Sequence, residues 1–334
     1  MKSVFCFGEV LVDFQPVAAS PTSHAPRFEQ HAGGAPANVA VAVARLGGNA
    51  EFVGMLSTDP FSDFLLDSLR GANVATNHIQ RTCAAPTALA FVTLDEKGER
   101  SFSFYRSHAA DLLFRESRLP AKVFTKASIF HACSNSLTEE GIAQATMACM
   151  RRAREAGVLV SFDMNLRPAL WPAGVDAGPR IRTALALADV VKLSAEELAF
   201  LAAFAGSESA ALDAILCENA QLVLVTDGAR PLRWLVRGNH GTLDTYVVES
   251  IDSTAAGDAF SGGILFALDE FGIDASSLPG LIGDPSRFHR VLRFGAACGA
   301  LATTRRGAFA AMPNRNQVET LMHSIDIEPM KVAR

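Results

Sequence analysis

No two cysteines of this sequence form a C-x-x-C pair, and no two histidines stand at H-x-x-x-H spacing. That argues against a zinc site or a dithiol redox centre. The six cysteines are scattered, several of them in apolar runs, and read as buried thiols of a reducing compartment rather than disulfides. No apolar run approaches ~18 residues, so no membrane span is expected. The N-terminal run MKSVFCFGEVLVDF carries Glu9 and Asp13, charges that a secretory leader excludes, and a cytoplasmic location is expected. No basic block marks a nucleic-acid or membrane surface, and the formal charge is −5. The three common glycine signatures are missing too. Without GxxxxGK[ST] there is no Walker loop, and without any G-x-G there is neither a dinucleotide fingerprint nor a protein-kinase glycine loop. The absence of G-x-S-x-G removes the hydrolase elbow.

What remains is a chain of 334 residues, 49% hydrophobic and 19% charged, able to bury a sizeable core. That length suits one large domain or two smaller ones, and no repeat or long linker divides it. SVFCFGEVLVDF reads as the first strand, followed by a loop with Pro16, Pro21 and Pro26. A small-residue helix then opens at Pro36 and stops at Gly47-Gly48. A strand at EFVGML and a helix capped near Asp59 come next. Residues 86–106 read as a hairpin around a DEKG turn. Strands at SIFHACS, VLVSFDMN, DVVKLS and QLVLVTDG follow, with helices at 138–156, about 179–188 and 194–204 between them. Such alternation implies an α/β fold with a parallel sheet covered on both faces. Polar groups gather at the carboxyl ends of these strands, where ligands of open α/β sheets bind: Asp163 and Asn165, Lys192 and Ser194, Thr226 and Asp227.

The stretch SIDSTAAGDAFSGG, residues 250–263, is a loop of small residues entering a helix. Its backbone N–H groups and helix dipole suit an anion, and small side chains at Ala255, Ala256 and Gly257 let a phosphate approach. Asp258 in that position has two readings. It is either a helix cap or a base that takes a proton from an attacking hydroxyl.

The stretch resembles the second signature of the ribokinase-like (PfkB) sugar kinases, D-T-T-G-A-G-D-x-F-x-x-G, here Asp252 to Gly263. The first signature, G-G-x-P-x-N, is similar to Gly33–Asn38. Other motifs come in family order: G-E-x-L-x-D (Gly8–Asp13), D-x-N-x-R (Asp163, Asn165, Arg167), K-x-S-x-x-E (Lys192, Ser194, Glu197), T-x-G (Thr226, Gly228) and T-T-R-R-G-A (Thr303–Ala308). The likeness spans about residues 4–313. It implies one domain over 1–334, a three-layer α/β/α sandwich with a mostly parallel central sheet. A small β-sheet lid would be built from about 10–35 and 86–106. It also implies an ATP- and Mg²⁺-dependent enzyme that phosphorylates a sugar hydroxyl, with K⁺ as a further cation. Ala311 stands where some ribokinases have a serine near that K⁺ site.

The site residues the resemblance implies are these. Asp258 is the base, and the backbone of Ala255, Ala256, Gly257 and Asp258 forms the anion hole. Asp13, Gly33, Gly34, Asn38, Phe104, Arg106 and Arg167 contact sugar. Asn165, Lys192, Ser194, Thr226 and Gly228 contact ATP, and Glu197 organises Mg²⁺ through water. Ser194 and Glu197 also spell a plain capping box. FSFYRSHAADLL (102–113) is most similar to the fructokinase branch, with 2-keto-3-deoxygluconate kinases and ribokinase as alternatives. Two such lids, each with an exposed strand edge, could pair as a homodimer. Ala255 replaces the signature's first glycine and is costly if its φ is positive. That departure leaves room for a non-catalytic sugar- or nucleotide-binding relative.

Overall fold

The computed structural model describes residues 2–17, 27–94, 100–324 and 331–332. The DEKG turn and Pro21 and Pro26 lie outside them. Fourteen strands are described: β1 (Ser3–Phe7), β2 (Leu11–Val17), β3 (Arg27–Gly33), β4 (Ala50–Ser57), β5 (Ala75–Thr82), β6 (Leu89–Leu94), β7 (Arg100–Tyr105), β8 (Ala127–Cys133), β9 (Leu159–Asp163), β10 (Val190–Ser194), β11 (Leu222–Thr226), β12 (Leu232–Val236), β13 (Asn239–Leu243) and β14 (Lys331–Val332). The α-helices are α1 (Ala35–Arg45), α2 (Pro60–Gly71), α3 (Glu140–Glu155), α4 (Gly178–Leu185), α5 (Ala195–Ala205), α6 (Glu208–Cys217), α7 (Ala256–Glu270), α8 (Leu278–Ile282), α9 (Pro285–Thr303) and α10 (Arg315–Ser324). No single helix among the described residues is long and apolar enough to cross a membrane.

The main sheet has ten strands in the order β14-β13-β12-β11-β10-β9-β8-β1-β4-β5. From β11 to β5 every pair is parallel, whereas β12, β13 and β14 extend it antiparallel. The parallel strands inside the edge strand β5 are buried on both faces, which is why they read as continuous apolar runs. One core, under α1, α7 and α9, includes Val4, Phe260 and Leu265; the other, under α3 to α6, includes Phe7, Phe130 and Phe162. The second sheet has four strands in the order β3-β2-β6-β7.

The first apolar run is two strands, not one. Gly8 has φ +147°, and a Cβ there would lie 2.6 Å from the Pro36 ring and 2.7 Å from Ser136 Oγ. Only glycine fits. At this break the chain leaves the main sheet as β1 and enters the second sheet as β2, carrying Glu9 and Asp13 with it. Pro16, read as loop, lies within β2. Asp59 caps α2 by accepting from Ser62 N, and it also accepts from Thr87 N at 2.8 Å, tying the start of the hairpin to the main body. Of the six thiols, Cys6, Cys133, Cys149 and Cys298 are buried, but Cys83 and Cys217 are exposed. They lie in the turn after β5 and at the end of α6, where no core is available.

Candidate active site

Helix α7 begins at the carboxyl edge of the sheet, between two clefts. Ala255 is its N-cap and adopts φ 59°, ψ 12°. The methyl group at this position therefore sits in left-handed backbone that glycine would adopt freely. Ala256 N–H turns back to Ser253 O at 3.2 Å, so it is not an open donor of the anion hole as expected. Gly257 and Asp258, the second and third residues, have no carbonyl four places back within the helix, so their N–H groups are its open donors.

Asp258 is 9% exposed and accepts from Asn38 Nδ2 at 2.7 Å. Asn38 stands one turn into α1, whose start is set by Gly34 (φ +108°) and Pro36. Burial pushes the Asp258 carboxyl up to about 6, with the Asp163 charge adding to the rise. Asn38, Lys192 and Arg167 hold it down. A carboxylate poised near 6 is ionised at neutral pH yet basic enough to accept a proton. Asp13, on β2, is pushed up to about 7 by burial and by the charge of Asp258. Gly33 has to lack a side chain because its Cβ would fall on the Asp13 carboxylate.

On one side of α7 is a cleft of about 650 Å³. Asp13, Asn38, Gly34, Phe104, Arg167, Asn165 and Asp258 line it, together with Glu9 and Asn135, which had not been expected there. Asn165 thus lies on this side and not with the nucleotide residues. Its φ of 35° reflects the sharp turn leaving β9. Arg167 is exposed at the rim. Arg106 does not line the cleft. It is 4% exposed, gives Nε and Nη2 to Asp111 Oδ2 at 2.8 and 2.6 Å, and gives Nη1 to Asn135 O at 2.8 Å. Its expected role as a sugar donor is therefore replaced by an internal ion pair. The two partners are five residues apart across a turn, which no periodicity reveals.

On the other side is a more apolar cleft of about 320 Å³. Thr226 and Gly228 line it, as expected of nucleotide residues. Tyr246, Val248, Ala296 and Gly299 form walls that the sequence reading missed, because 244–250 has no regular structure and no motif. Ser253 borders both clefts, and Ala256 and Gly257 face this one.

Lys192 and Ser194 line neither cleft. Lys192 Nζ pairs with Asp163 Oδ1 at 3.1 Å, and Ser261 Oγ donates to Asp163 Oδ2 at 3.1 Å. A Cβ on Gly257 would lie 3.0 Å from that ammonium, so the cation sits directly beneath the start of α7. Ser194 and Glu197 form the complete capping box of α5. Glu197 accepts from Ser194 N and Leu166 N, both at 2.7 Å, which commits one lone pair of each oxygen to backbone and leaves the other for a bridging water. Among the described residues no three His, Cys, Asp or Glu side chains gather into a metal cage. This donor set fits a cation carried mainly by phosphate oxygens and water, as Mg²⁺ commonly is.

A nucleoside-sized apolar cleft and a carboxylate-rich polar cleft, joined at a helix start that carries a buried carboxylate, suit a phosphotransferase. The chain belongs to the PfkB carbohydrate kinase family, whose profile matches residues 1–315. Fructokinase-1 of Oryza sativa subsp. japonica is 40% identical over 320-odd residues, covering 96% of this chain and 98% of that protein. A fructokinase of Xylella fastidiosa, solved with bound ATP, superimposes with a TM-score of 0.92 at 51% identity, covering 96% and 98% of the two chains. A fructokinase of Vibrio cholerae, solved with fructose, ADP and calcium, has a TM-score of 0.83 at 33% identity, covering 96% and 99%. The fold is the ribokinase-like one: a large, mostly parallel sheet flanked by helices, with a small second sheet.

Proposed function

We propose that the protein is an ATP-dependent fructokinase that moves the γ-phosphoryl group of ATP to the 6-hydroxyl of D-fructose. The observation that carries this reading is the placement of Asp258. It faces a cleft rich in hydrogen-bond acceptors, at the start of a helix whose other side meets an apolar cleft. Asp258 takes the proton of the attacking hydroxyl, with Asn38 aiming its carboxylate. The open N–H groups of Gly257 and Asp258, backed by the Lys192 ammonium, stabilise charge as it develops on the transferred group. Glu197 would reach a Mg²⁺ ion through water, and that ion would supply charge neutralisation. K⁺ belongs to the same reading, as does a cytoplasmic location.

The main alternative is a 2-keto-3-deoxygluconate kinase. That substrate is an anion, and Glu9, Asp13 and Asp258 all face the cleft. Of the two cations able to pair with its carboxylate, Arg106 and Arg167, the first is already held by Asp111 and the second stands exposed at the rim. The geometry favours a neutral polyol.

In this reading the second sheet is the lid. Its inner face brings Asp13, Leu11 and Phe104 to the sugar, while Phe28 and Tyr105 stand exposed on the outer face around Phe91. Two copies would pair edge to edge through an exposed edge strand of this sheet, β3 or β7, and the solution mass tests it. The function itself is tested by ADP release with a panel of fructose, ribose and 2-keto-3-deoxygluconate. The highest kcat/KM is expected with fructose. A higher value with the keto acid overturns the substrate, and no turnover with any sugar overturns the kinase.

A further inference from the structure

The cleft contains three buried polar side chains, Glu9, Asn38 and Asn135, with an atom that nothing among the described residues satisfies, and two of them, Glu9 and Asn135, touch each other. Glu9 is 1% exposed, and its Oε1 accepts from Asn135 Nδ2 at 2.9 Å and from Ala35 N at 3.2 Å. Its Oε2 has no partner. Asn135 is 4% exposed, and its Oδ1 has none either. Both residues line the 650 Å³ cleft. Buried acceptors are ordinarily paired, and leaving one unpaired is costly, more so for a charged one. Two such acceptors held together point to a ligand that brings donors.

The framework around them is rigid. The Arg106–Asp111 pair fixes the Asn135 backbone through its carbonyl, and Asn135 in turn fixes Glu9. Ala35, which binds Glu9, and Asn38, which binds Asp258, are three residues apart on α1. The rise along that helix is ~1.5 Å per residue, so the two positions that hold the carboxylates stand roughly 5 Å apart along its first turn. That span matches a sugar with its reacting hydroxyl at Asp258 and another hydroxyl, a few carbons away, at Glu9.

We propose that Glu9, oriented by Asn135, forms a second sugar-binding point that accepts a hydroxyl remote from the reacting one and selects neutral sugars over sugar acids. The inference rests on the sugar-kinase reading above. Arg106 lies near Glu9, but Asp111 already engages it, so one cation serves two carboxylates. The cluster keeps a net negative charge that a substrate carboxylate has to meet, whereas a hydroxyl donates to it.

Glu9→Gln tests this with little disturbance, because the amide oxygen can still accept from Ala35 and Asn135 while an NH₂ replaces the orphan oxygen. A charge-assisted hydrogen bond contributes about 10- to 100-fold in affinity. The expected result is therefore a fructose KM raised by about that factor with kcat within about threefold, since this contact does not change during phosphoryl transfer. The variant should also narrow the preference for fructose over 2-keto-3-deoxygluconate. Monodeoxy fructoses add a finer readout: the wild type should penalise loss of one particular hydroxyl that the variant ignores. Fructose-induced thermal stabilisation reports the same binding loss even if turnover is poor. An unchanged KM, or equal penalties in both enzymes for every deoxy analogue, overturns the inference and makes Glu9 part of the framework only. Should the wild type prefer a sugar other than fructose, the substrate assignment fails. The role of Glu9 is then overturned only if the variant matches the wild type on that sugar.

Discussion

Asp258→Asn separates the cost of the proposed catalytic carboxylate from its use. In the folded protein its pKa is pushed from 3.8 to about 6 by burial. Each unit is 1.36 kcal/mol, so holding the ionised form at pH 8 costs about 3 kcal/mol of folding stability. The sign follows from the direction of the shift. A raised carboxyl binds its proton more tightly in the folded state, so stability is lost as pH rises from 3.8 through about 6. Asparagine has no such loss and keeps an oxygen to accept from Asn38. The variant should therefore be more stable by about 3 kcal/mol at pH 8 and only about 1 kcal/mol at pH 4.5. For a chain of this length that is a melting gain of roughly 4 °C at the higher pH. Turnover should fall by ~10²–10⁴-fold, the usual share of a general base. The wild-type rise of kcat/KM with pH through about 6 should vanish. Calorimetry at the two pH values and ADP release from pH 5 to 9 make the comparison. A stability gain that does not grow with pH refutes the burial argument, and near-normal turnover removes Asp258 as the base, leaving it only as the partner of Asn38 at the start of α7.

Three further outcomes follow from the same geometry. Ala255→Gly relieves left-handed backbone worth about 1 kcal/mol, part of which is returned through the more flexible unfolded chain; chemical denaturation should show equal or higher stability, with kcat retained, whereas Ala255→Val should lose both. Lys192→Met strands buried Asp163 and removes a charge that lowers the Asp258 pKa. It should destabilise by about 3–5 kcal/mol and move the acid limb of kcat/KM to higher pH, both measurable on one preparation. Arg106→Met should likewise destabilise by about 3–5 kcal/mol by leaving Asp111 unpaired, and a full-strength melting curve would remove the buried pair from the account.

What could be read from the sequence divides along physical lines. The glycine and small-residue signatures were legible because they answer to backbone demands that few residues meet. Gly34 is left-handed beside the Glu9 carbonyl, and Gly257 leaves room for Lys192. The inner parallel strands were legible because burial on both faces makes an apolar run, whereas the edge strand β5, half-exposed and polar, was not. β12 and β13 were not: their burial alternates in short segments and they carry no motif. The nucleotide-side wall at 244–250 has no periodicity at all. Arg106 was misread for a different reason. Its aromatic neighbours suggested a substrate surface, but the residue that claims it, Asp111, lies across a short 3₁₀ turn whose geometry the residue types do not encode.

The misreading of Arg106 changes what the cleft can recognise. With that cation free, the site would balance its carboxylates and could accept an acid. With it spent on Asp111 and Asn135, the interior of the cleft presents Glu9, Asp13 and Asp258, and Arg167 stands only at the rim. Burial raises all three carboxyls, so their charged forms come at a cost. A neutral polyol offsets part of that cost by donating hydroxyl hydrogens, whereas an anion adds to it. In the proposed reaction one of those hydroxyls, at Asp258, then loses its proton, and the developing negative charge would be met by the α7 start and the rim cation. Specificity and catalysis thus draw on the same excess of acceptors, and a variant that lowers that excess at Glu9 should relax the first without abolishing the second.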